Sequence, residues 1–306
     1  MKQWQAKSLL LFGTSIWGAT FLFTKIGIQD CSPSLYLLFR FTIALALCLI
    51  FFGKHIIKIE KRTIKQGSLL GIFWTIGFLL QTYALQYTTI GNAAFITNLA
   101  VGLTPFVYWF ISREKIKFFS KIAVLMGFIG VNIIADPLSN DFNIGDLLIF
   151  ISTFMWAGYV AFLHLFTKED KNNKKDKNIV RSSQLTATQF AIGIPILIIF
   201  ILIFDNEIHI NFTNELITSL LFNAVMASFL ISFIQISVQR YTTPVSAVLI
   251  FSLEPIFASI ISFFAIGEVL TLRGYIGAAI MMLAIFVSDT LEVVINYFKN
   301  KMAKER

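Results

Sequence analysis

Charged residues are scarce in this chain. Only 14% of its 306 residues are charged and 57% are apolar, whereas an ordinary soluble domain has about 25% charged residues. A chain this apolar cannot supply the polar surface that a globular domain of its size needs in water. The composition therefore excludes a water-soluble fold and predicts an integral membrane protein.

Motifs for metal binding and catalysis are also missing. Cys31 and Cys48 fit neither a metal-site spacing nor a disulfide framework. The three histidines, His55, His164 and His209, lie in separate regions, and no phosphate-cradling Gly-rich loop or H-E-x-x-H motif occurs. We therefore expect no enzyme activity, no metal site, no cofactor and no ATP-driven step within this chain.

The net charge of +8 does not indicate a nucleic-acid partner. The basic residues lie in short clusters between apolar runs and form no stripe with interleaved aromatic side chains. Clusters in these places are typical of signals that orient a membrane protein. We therefore expect a lipid bilayer and a small solute as partners, with no nucleic acid.

Ten apolar runs are long enough to cross a membrane. A spanning helix needs about 20 mainly apolar residues, and the runs lack the alternation of a transmembrane β-barrel. We therefore predict an all-α fold of ten transmembrane helices, over residues 8–28, 34–53, 67–87, 91–112, 118–135, 144–166, 183–204, 216–239, 243–266 and 272–294.

The basic residues give these spans an orientation. Lys and Arg concentrate on the cytoplasmic side of membrane proteins, and with the N-terminus inside, 22 of the 25 basic residues fall there. One span more or fewer would destroy this alternation. Both termini are therefore predicted to be cytoplasmic, together with the polar linker over residues 168–183 and the basic tail over residues 295–306.

The chain also repeats itself weakly. Trp17 followed by a small residue recurs as Trp156 followed by Ala157, and Pro105 and Pro255 lie in similar segments near the end of each half. Two halves with five spans each must have opposite orientations, which is the inverted repeat common in secondary transporters. We therefore predict two inverted five-helix repeats, over residues 8–135 and 144–294.

Several segments resemble the EamA transporters of the drug/metabolite transporter superfamily. They are WGATFLFTKIG from residue 17, LLFRF from residue 37, QTYALQYTTIGNAAFI from residue 81, and the stretch over residues 239–288 that begins QRYTTPVSAVLIFSLEPIF. The resemblance covers nearly the whole chain and is weakest in the sixth to eighth spans. It implies a ten-helix carrier in the bacterial inner membrane that moves amino acids or related metabolites by alternating access.

Two ionisable residues inside the predicted spans are candidates for solute binding. A charged group at membrane depth costs about 2.5–3.5 kcal/mol on insertion scales, so each requires an explanation. Glu254, directly before Pro255 in the ninth span, could bind a cationic group or take up a proton for coupling. Arg40, in the second span, could attract a carboxylate or phosphate.

Uncharged residues complete the predicted site. Trp17 and Trp156 are related by the repeat and could form opposite walls of one pocket. Tyr83, Asn98 and Tyr159 are further candidates, although hydrogen bonding between helices is the default role of polar residues in spans.

We therefore predict a secondary transporter for an amino acid or related solute, acting by export or exchange as a monomer or homodimer. One alternative is a carrier for S-adenosylmethionine or a nucleoside-like metabolite. Another is a lipid-linked-sugar flippase or a membrane-embedded enzyme.

Overall fold

The computed structural model describes residues 1–88, 90–116, 118–135, 143–168, 175–205, 208–266 and 272–287. The predicted tail and residues 169–174 of the predicted linker lie outside these ranges. In chain order the α-helices are α1 (Gln3–Asp30), α2 (Pro33–Ile56), α3 (Lys61–Ala84), α4 (Ile90–Asn98), α5 (Ala100–Ser112), α6 (Phe118–Ala135), α7 (Ile144–Lys168), α8 (Lys175–Phe204), α9 (Asn214–Leu221), α10 (Ser232–Val238), α11 (Pro244–Phe251), α12 (Glu254–Ile266) and α13 (Leu272–Phe286).

Six helical stretches are long and apolar enough to cross a membrane. They are Gln3–Asp30, Pro33–Ile56, Lys61–Ala84, Ile144–Lys168, Asn178–Phe204 and Asn214–Tyr241. Four shorter apolar segments correspond to the remaining predicted spans, at Ile96–Ser112, Phe118–Gly130, Pro244–Ala258 and Tyr275–Ala284. The all-helical membrane fold is thereby confirmed, whereas the count of ten spans stays a prediction.

The fourth and ninth predicted spans are each divided into two helices. α4 ends at Asn98 and α5 begins at Ala100, while α11 ends at Phe251 and α12 begins at Glu254. Proline lacks a backbone donor, and its ring clashes with the carbonyl four residues earlier. Pro255 therefore ends α11 at Phe251 and takes a position in the first turn of α12, where a proline is tolerated.

A π-helical segment interrupts the eighth span between α9 and α10. It covers Phe222–Ile231, and π-helical turns occur frequently at functional sites. Its buried Asn223 donates hydrogen bonds to the hydroxyls of Tyr36, at 2.7 Å, and Thr24, at 3.0 Å. The segment is therefore attached to α1 and α2 by polar contacts inside the protein.

The predicted linker needs a correction, because α8 already begins at Lys175. The side-chain amide of Gln184 donates to the carbonyl of His55 at 2.8 Å, and Arg181 donates to the side chain of Gln66 at 2.5 Å. Residues after Lys175 are therefore helical, and Arg181 and Gln184 contact the ends of α3 and α2. Charge alone suggested a solvated loop.

Helices from the two predicted halves interlock. α1 packs on α12 and α7 packs on α5; α3 packs on α8 and α2 on the π-helical segment; α6 packs on α13. Exchanging each predicted span for the one at the same place in the other half turns the pair of α1 and α12 into the pair of α7 and α5. The same exchange turns the pair of α3 and α8 into the pair of the π-helical segment and α2. The interior is therefore enclosed jointly by both halves.

Candidate functional site

A cavity lies where helices from both halves meet. Its empty volume is about 690 Å³, a figure that includes the part open to solvent. The described residues that line it are Trp17, Thr20, Trp74, Phe78, Gln81, Thr97, Asn98, Ala100, Val101, Trp156, Tyr159, Val160, Gln235, Val248, Phe251 and Glu254.

The two broken helices meet this cavity at their breaks. Asn98 and Ala100 flank the first break, Phe251 and Glu254 flank the second, and all four residues line the cavity. Interrupted spans leave backbone groups free and aim helix ends at a site, which is how many transporters build their binding sites at mid-membrane.

Glu254 is the only charged residue among those lining the cavity. Its side chain is half-buried, and its carboxylate makes no hydrogen bond or ion pair with another residue that the structure describes. Glu254 is also the first residue of α12, where the helix dipole favours a negative charge. The cavity therefore presents one carboxylate that is available to a ligand.

Aromatic rings form two walls of the cavity. Trp17 meets Phe251 edge to face, with the ring centroids 5.2 Å apart. In a second aromatic group of the lining, Trp156 meets Trp74 at 5.4 Å and Phe78 at 4.9 Å, again edge to face. Such walls provide apolar area and aromatic faces for a flat or cationic group.

Gly18 explains why a small residue follows Trp17. A Cβ atom at Gly18 would lie 2.9 Å from Cβ of Phe257 and 3.0 Å from the backbone oxygen of Glu254. Only glycine lets α1 approach the first turn of α12 this closely, and that approach places Trp17 beside Phe251 and Glu254.

The polar lining residues use several of their donors internally. The Asn98 amide donates to the carbonyl of Ala94 at 2.6 Å, and the Gln81 amide donates to the hydroxyl of Thr97 at 3.2 Å. The Thr20 hydroxyl donates to a backbone carbonyl in α1 at 2.7 Å. The side-chain oxygens of Asn98 and Gln81 thus remain as acceptors, so this part of the lining suits a ligand that donates hydrogen bonds.

Tyr159 lines the cavity with its ring only. The hydroxyl donates to the side-chain oxygen of Gln189 in α8, at 3.0 Å, and the residue is 1% exposed. Its polar end therefore ties α7 to α8, away from the cavity.

Arg40 lies outside the cavity lining, behind one of the aromatic walls. Its guanidinium carbon is 4.3 Å from the ring centroid of Phe78, and its Nε donates to the hydroxyl of Ser228 at 2.7 Å. The side chain is 1% exposed. Arg40 thus supports the Phe78 wall and connects α2 to the π-helical segment.

Tyr83 also lies outside the cavity lining, near the Cys31 end of the molecule, where α1 joins α2. Its hydroxyl donates to the carboxylate of Asp205 at 2.5 Å, and the hydroxyl of Ser34 donates to the same carboxylate. Asp205 directly follows α8. These bonds fasten α2 and α3 of the first predicted half to α8 of the second.

A second polar contact lies at the opposite end of the molecule, where α7 ends. Lys168 donates to the carboxylate of Glu114 at 2.5 Å, and the hydroxyl of Tyr108 donates to it at 2.9 Å. The hydrogen bond from Lys168 is the main reason why the pKa of Glu114 is lowered. The contact connects the loop after α5 to α7.

Five of the seven predicted site residues therefore share the cavity: Trp17, Asn98, Trp156, Tyr159 and Glu254. Arg40 and Tyr83 do not line it. Sequence reasoning did not single out Trp74, Phe78 or Gln81 as site residues. These three residues recur at intervals of four and three along α3, so they share one helix face, and that spacing was the available signal.

Within the described part of the chain, no group of three or more His, Cys, Asp and Glu side chains is placed to hold a metal ion. The described lining offers one carboxylate, amide and hydroxyl groups, aromatic rings, and the indole N–H groups of Trp17, Trp74 and Trp156, which have no hydrogen-bond partner among the described residues.

Comparison with known proteins gives consistent matches. The profile of the EamA-like transporter family matches residues 5–135 and 143–288. An uncharacterized transporter of Archaeoglobus fulgidus is 30% identical over 275 residues, which are 89% of this chain and 82% of that protein. A riboflavin transporter of Vibrio cholerae is 31% identical over 138 residues, 44% of this chain and 46% of its own.

A solved crystal structure shares the fold. It superposes with a TM-score of 0.71 over 94% of this chain and 97% of its own, at 13% identity.

Proposed function

This chain belongs to the EamA-like transporter family, and from that premise we propose that it is a secondary transporter of a small metabolite, an amino acid or a related solute. The solute binds in the cavity, and alternating access opens the cavity to one side of the membrane at a time. Glu254 carries the proposal, because an unpaired carboxylate beside a cavity at membrane depth requires a functional explanation.

We further propose that residues 8–135 and 144–294 are inverted repeats in a bacterial cytoplasmic membrane, with both termini in the cytoplasm. The pairing of α1 with α12 and of α5 with α7 supports this, because each pair is the counterpart of the other. The distribution of basic residues supports the orientation.

The proposed roles of the lining residues follow from their chemistry. Glu254 binds a positively charged group of the solute and is the candidate for coupling to an ion gradient. Trp17 and Trp156 hold the apolar part of the solute, Asn98 accepts a hydrogen bond from it, and the ring of Tyr159 contributes apolar area.

Arg40 and Tyr83 act indirectly in this proposal. Arg40 holds the Phe78 wall in place through its cation–π contact. Tyr83 closes the Cys31 end through Asp205. Both residues thus set the shape of the site without contacting the solute.

A carrier for a nucleoside-like metabolite, such as S-adenosylmethionine, is the second candidate. The aromatic walls favour it, because a purine ring stacks well on tryptophan. A riboflavin transporter is among the partial matches, and riboflavin also contains a flat ring system.

Uptake by purified protein in proteoliposomes tests the proposal. The panel would contain labelled amino acids, adenine metabolites and riboflavin, with empty vesicles as background. We expect saturable uptake of at least one solute above that background. If no solute moved while labelled lipid crossed the bilayer, the flippase alternative would replace the transporter proposal.

A further inference from the structure

We infer that the cavity selects a solute with a positively charged nitrogen next to a flat ring, and that it rejects solutes which depend on recognition of a carboxylate. This inference rests on the proposed function, since it treats the cavity as the transport site. Within the proposed class of amino acids and related solutes, it favours aromatic amines over amino acids with a free carboxylate.

The charge of the lining is the first argument. Among the described residues of the lining, Glu254 is the only charged one, and none is Lys, Arg or His. A cationic nitrogen therefore finds one counter-charge, whereas a carboxylate finds no counter-charge and only uncharged donors, such as the indole nitrogens of Trp17, Trp74 and Trp156. A carboxylate that leaves water without a counter-charge pays more of its desolvation cost than a cation held by Glu254.

The position of Arg40 is the second argument. An amino acid would be expected to place its ammonium near Glu254 and its carboxylate near Arg40. However, the guanidinium lies over the ring of Phe78 at 4.3 Å, Phe78 itself lines the cavity, and Nε is bonded to Ser228. Arg40 is therefore absent from the described lining and contacts the ring of Phe78, which lines the cavity.

The aromatic walls are the third argument. Ring faces attract cations and stack on flat groups. Trp17 and Phe251 form one edge-to-face pair in the lining, and Trp156 and Phe78 form another. A flat ring would contact these aromatic side chains in the same cavity that holds the carboxylate of Glu254.

The amide groups are the fourth argument. Asn98 and Gln81 each use a side-chain donor internally, which leaves oxygens as acceptors. An ammonium group carries only donors. Its remaining hydrogens thus find acceptors in the same lining that holds its counter-charge.

A matched ligand series tests the inference without any variant. Phenethylamine, 2-phenylethanol, phenylalanine and 3-phenylpropionate share one ring and differ in charge. Isothermal titration calorimetry on the purified full-length protein would compare them. We expect phenethylamine to bind at least tenfold more tightly than the alcohol, and phenylalanine and phenylpropionate to bind more weakly than the amine.

Glu254→Gln adds a second, independent readout. The variant should lower the affinity for phenethylamine to that for 2-phenylethanol, while leaving the affinity for the alcohol within twofold of the wild type. Glu215→Gln is the matched control, because Glu215 is also in the first turn of a helix and is exposed. It should bind all four compounds as the wild type does.

The outcomes separate this inference from the proposed function. Binding of phenylalanine or phenylpropionate as tightly as the amine, or no binding of the amine at millimolar concentration, would overturn the inference. If the amine bound, but neither the amine nor any other solute entered proteoliposomes, the proposed transport function would be wrong. The charge preference would still stand. If a carboxylic acid were transported and the amine were not, the transport function would stand and the charge preference would be wrong.

Discussion

Glu254 faces the cavity without a hydrogen-bond partner among the described residues, whereas Arg40 is enclosed by its neighbours. Arg40 contacts the ring of Phe78 and the hydroxyl of Ser228, and it is 1% exposed. Both residues are ionisable groups inside the predicted spans, so the sequence alone predicted a solute-binding role for both. The difference in their surroundings indicates that Glu254 serves the ligand and that Arg40 serves the wall behind it.

Neutralising Glu254 should have the largest effect on transport. A hydrogen bond to a charged group contributes about 1.5–3 kcal/mol, so Glu254→Gln should reduce the initial rate of uptake by about 10–100-fold. Uptake of the solute found in the proteoliposome panel measures this, with Glu215→Gln as the control. An unchanged rate in folded protein would remove Glu254 from the mechanism and abolish the contrast with Arg40.

Separating α1 from α12 should disturb the same site through the backbone. In Gly18→Ala the new methyl group would meet Phe257 and the backbone of Glu254, and overpacking of this kind costs about 1–3 kcal/mol. We expect a lower melting temperature and slower uptake.

Gly53→Ala is the matched control, because a Cβ atom at Gly53 meets no other atom within 4 Å. Alanine is also the better helix former. This variant should melt at or slightly above the wild-type temperature. Equal effects at both glycines would contradict the close approach of α1 to α12.

The contact between Tyr83 and Asp205 should matter less than Glu254. Tyr83→Phe removes one hydrogen bond at the Cys31 end, which costs about 1 kcal/mol and should change KM for uptake by about fivefold. Tyr87→Phe is the control, because Tyr87 is 57% exposed. Similar KM values for the two variants would show that this end does not control access to the cavity.

Replacing Arg40 should have a smaller effect still on transport. Burying a charge without a counter-charge is costly, and an apolar side chain of similar volume removes that cost. Arg40→Met should therefore keep a melting temperature at or above that of the wild type, with an uptake rate within about threefold. Loss of uptake in a folded Arg40→Met protein would restore Arg40 to the solute site.

The smallest predicted effect belongs to the exposed ion pair of Glu114 and Lys168. Because the pKa of Glu114 is lowered in the folded protein, its contribution to stability is present above the pKa of an unfolded glutamate, about 4.3, and disappears as the pH falls through the folded value. For a solvent-exposed pair that contribution is at most about 1 kcal/mol.

Melting curves between pH 7 and pH 3 would measure it. The wild type should lose slightly more stability on acidification than Glu114→Gln, and the difference should shrink at high salt. A difference that grew with salt would contradict the assignment of Glu114 to this pair.

The sequence predicted the membrane fold because hydropathy depends on residue type alone. It also singled out Trp17 and Glu254, which both line the cavity, since a repeat and an isolated carboxylate are visible in the sequence; their role in binding stays a prediction. It could not place Arg40, because the direction of a side chain around a helix depends on packing. In α3, apolar residues occupy most faces, so the face shared by Trp74 and Phe78 did not stand out.

The helix breaks show the same limit. Pro255 marks the second break, whereas no proline or glycine adjoins the first break at Leu99. That break consists of hydrogen bonds between residues three apart, from Leu99 to Ile96 at 3.1 Å and from Gly102 to Leu99 at 3.0 Å. Tertiary packing around the cavity, which a single sequence does not reveal, accompanies this tighter turn.

The close approach of Gly18 to α12 limits how the cavity could open. α1 and α12 come from different predicted halves, so a hinge that parted the halves as whole blocks would pull this contact open. A rocking motion that keeps α1 with α12, and its counterpart α7 with α5, would preserve both contacts. Each rigid body of such a motion would then combine helices from both predicted halves. Trp17 and Glu254 would move together, relative to Trp156.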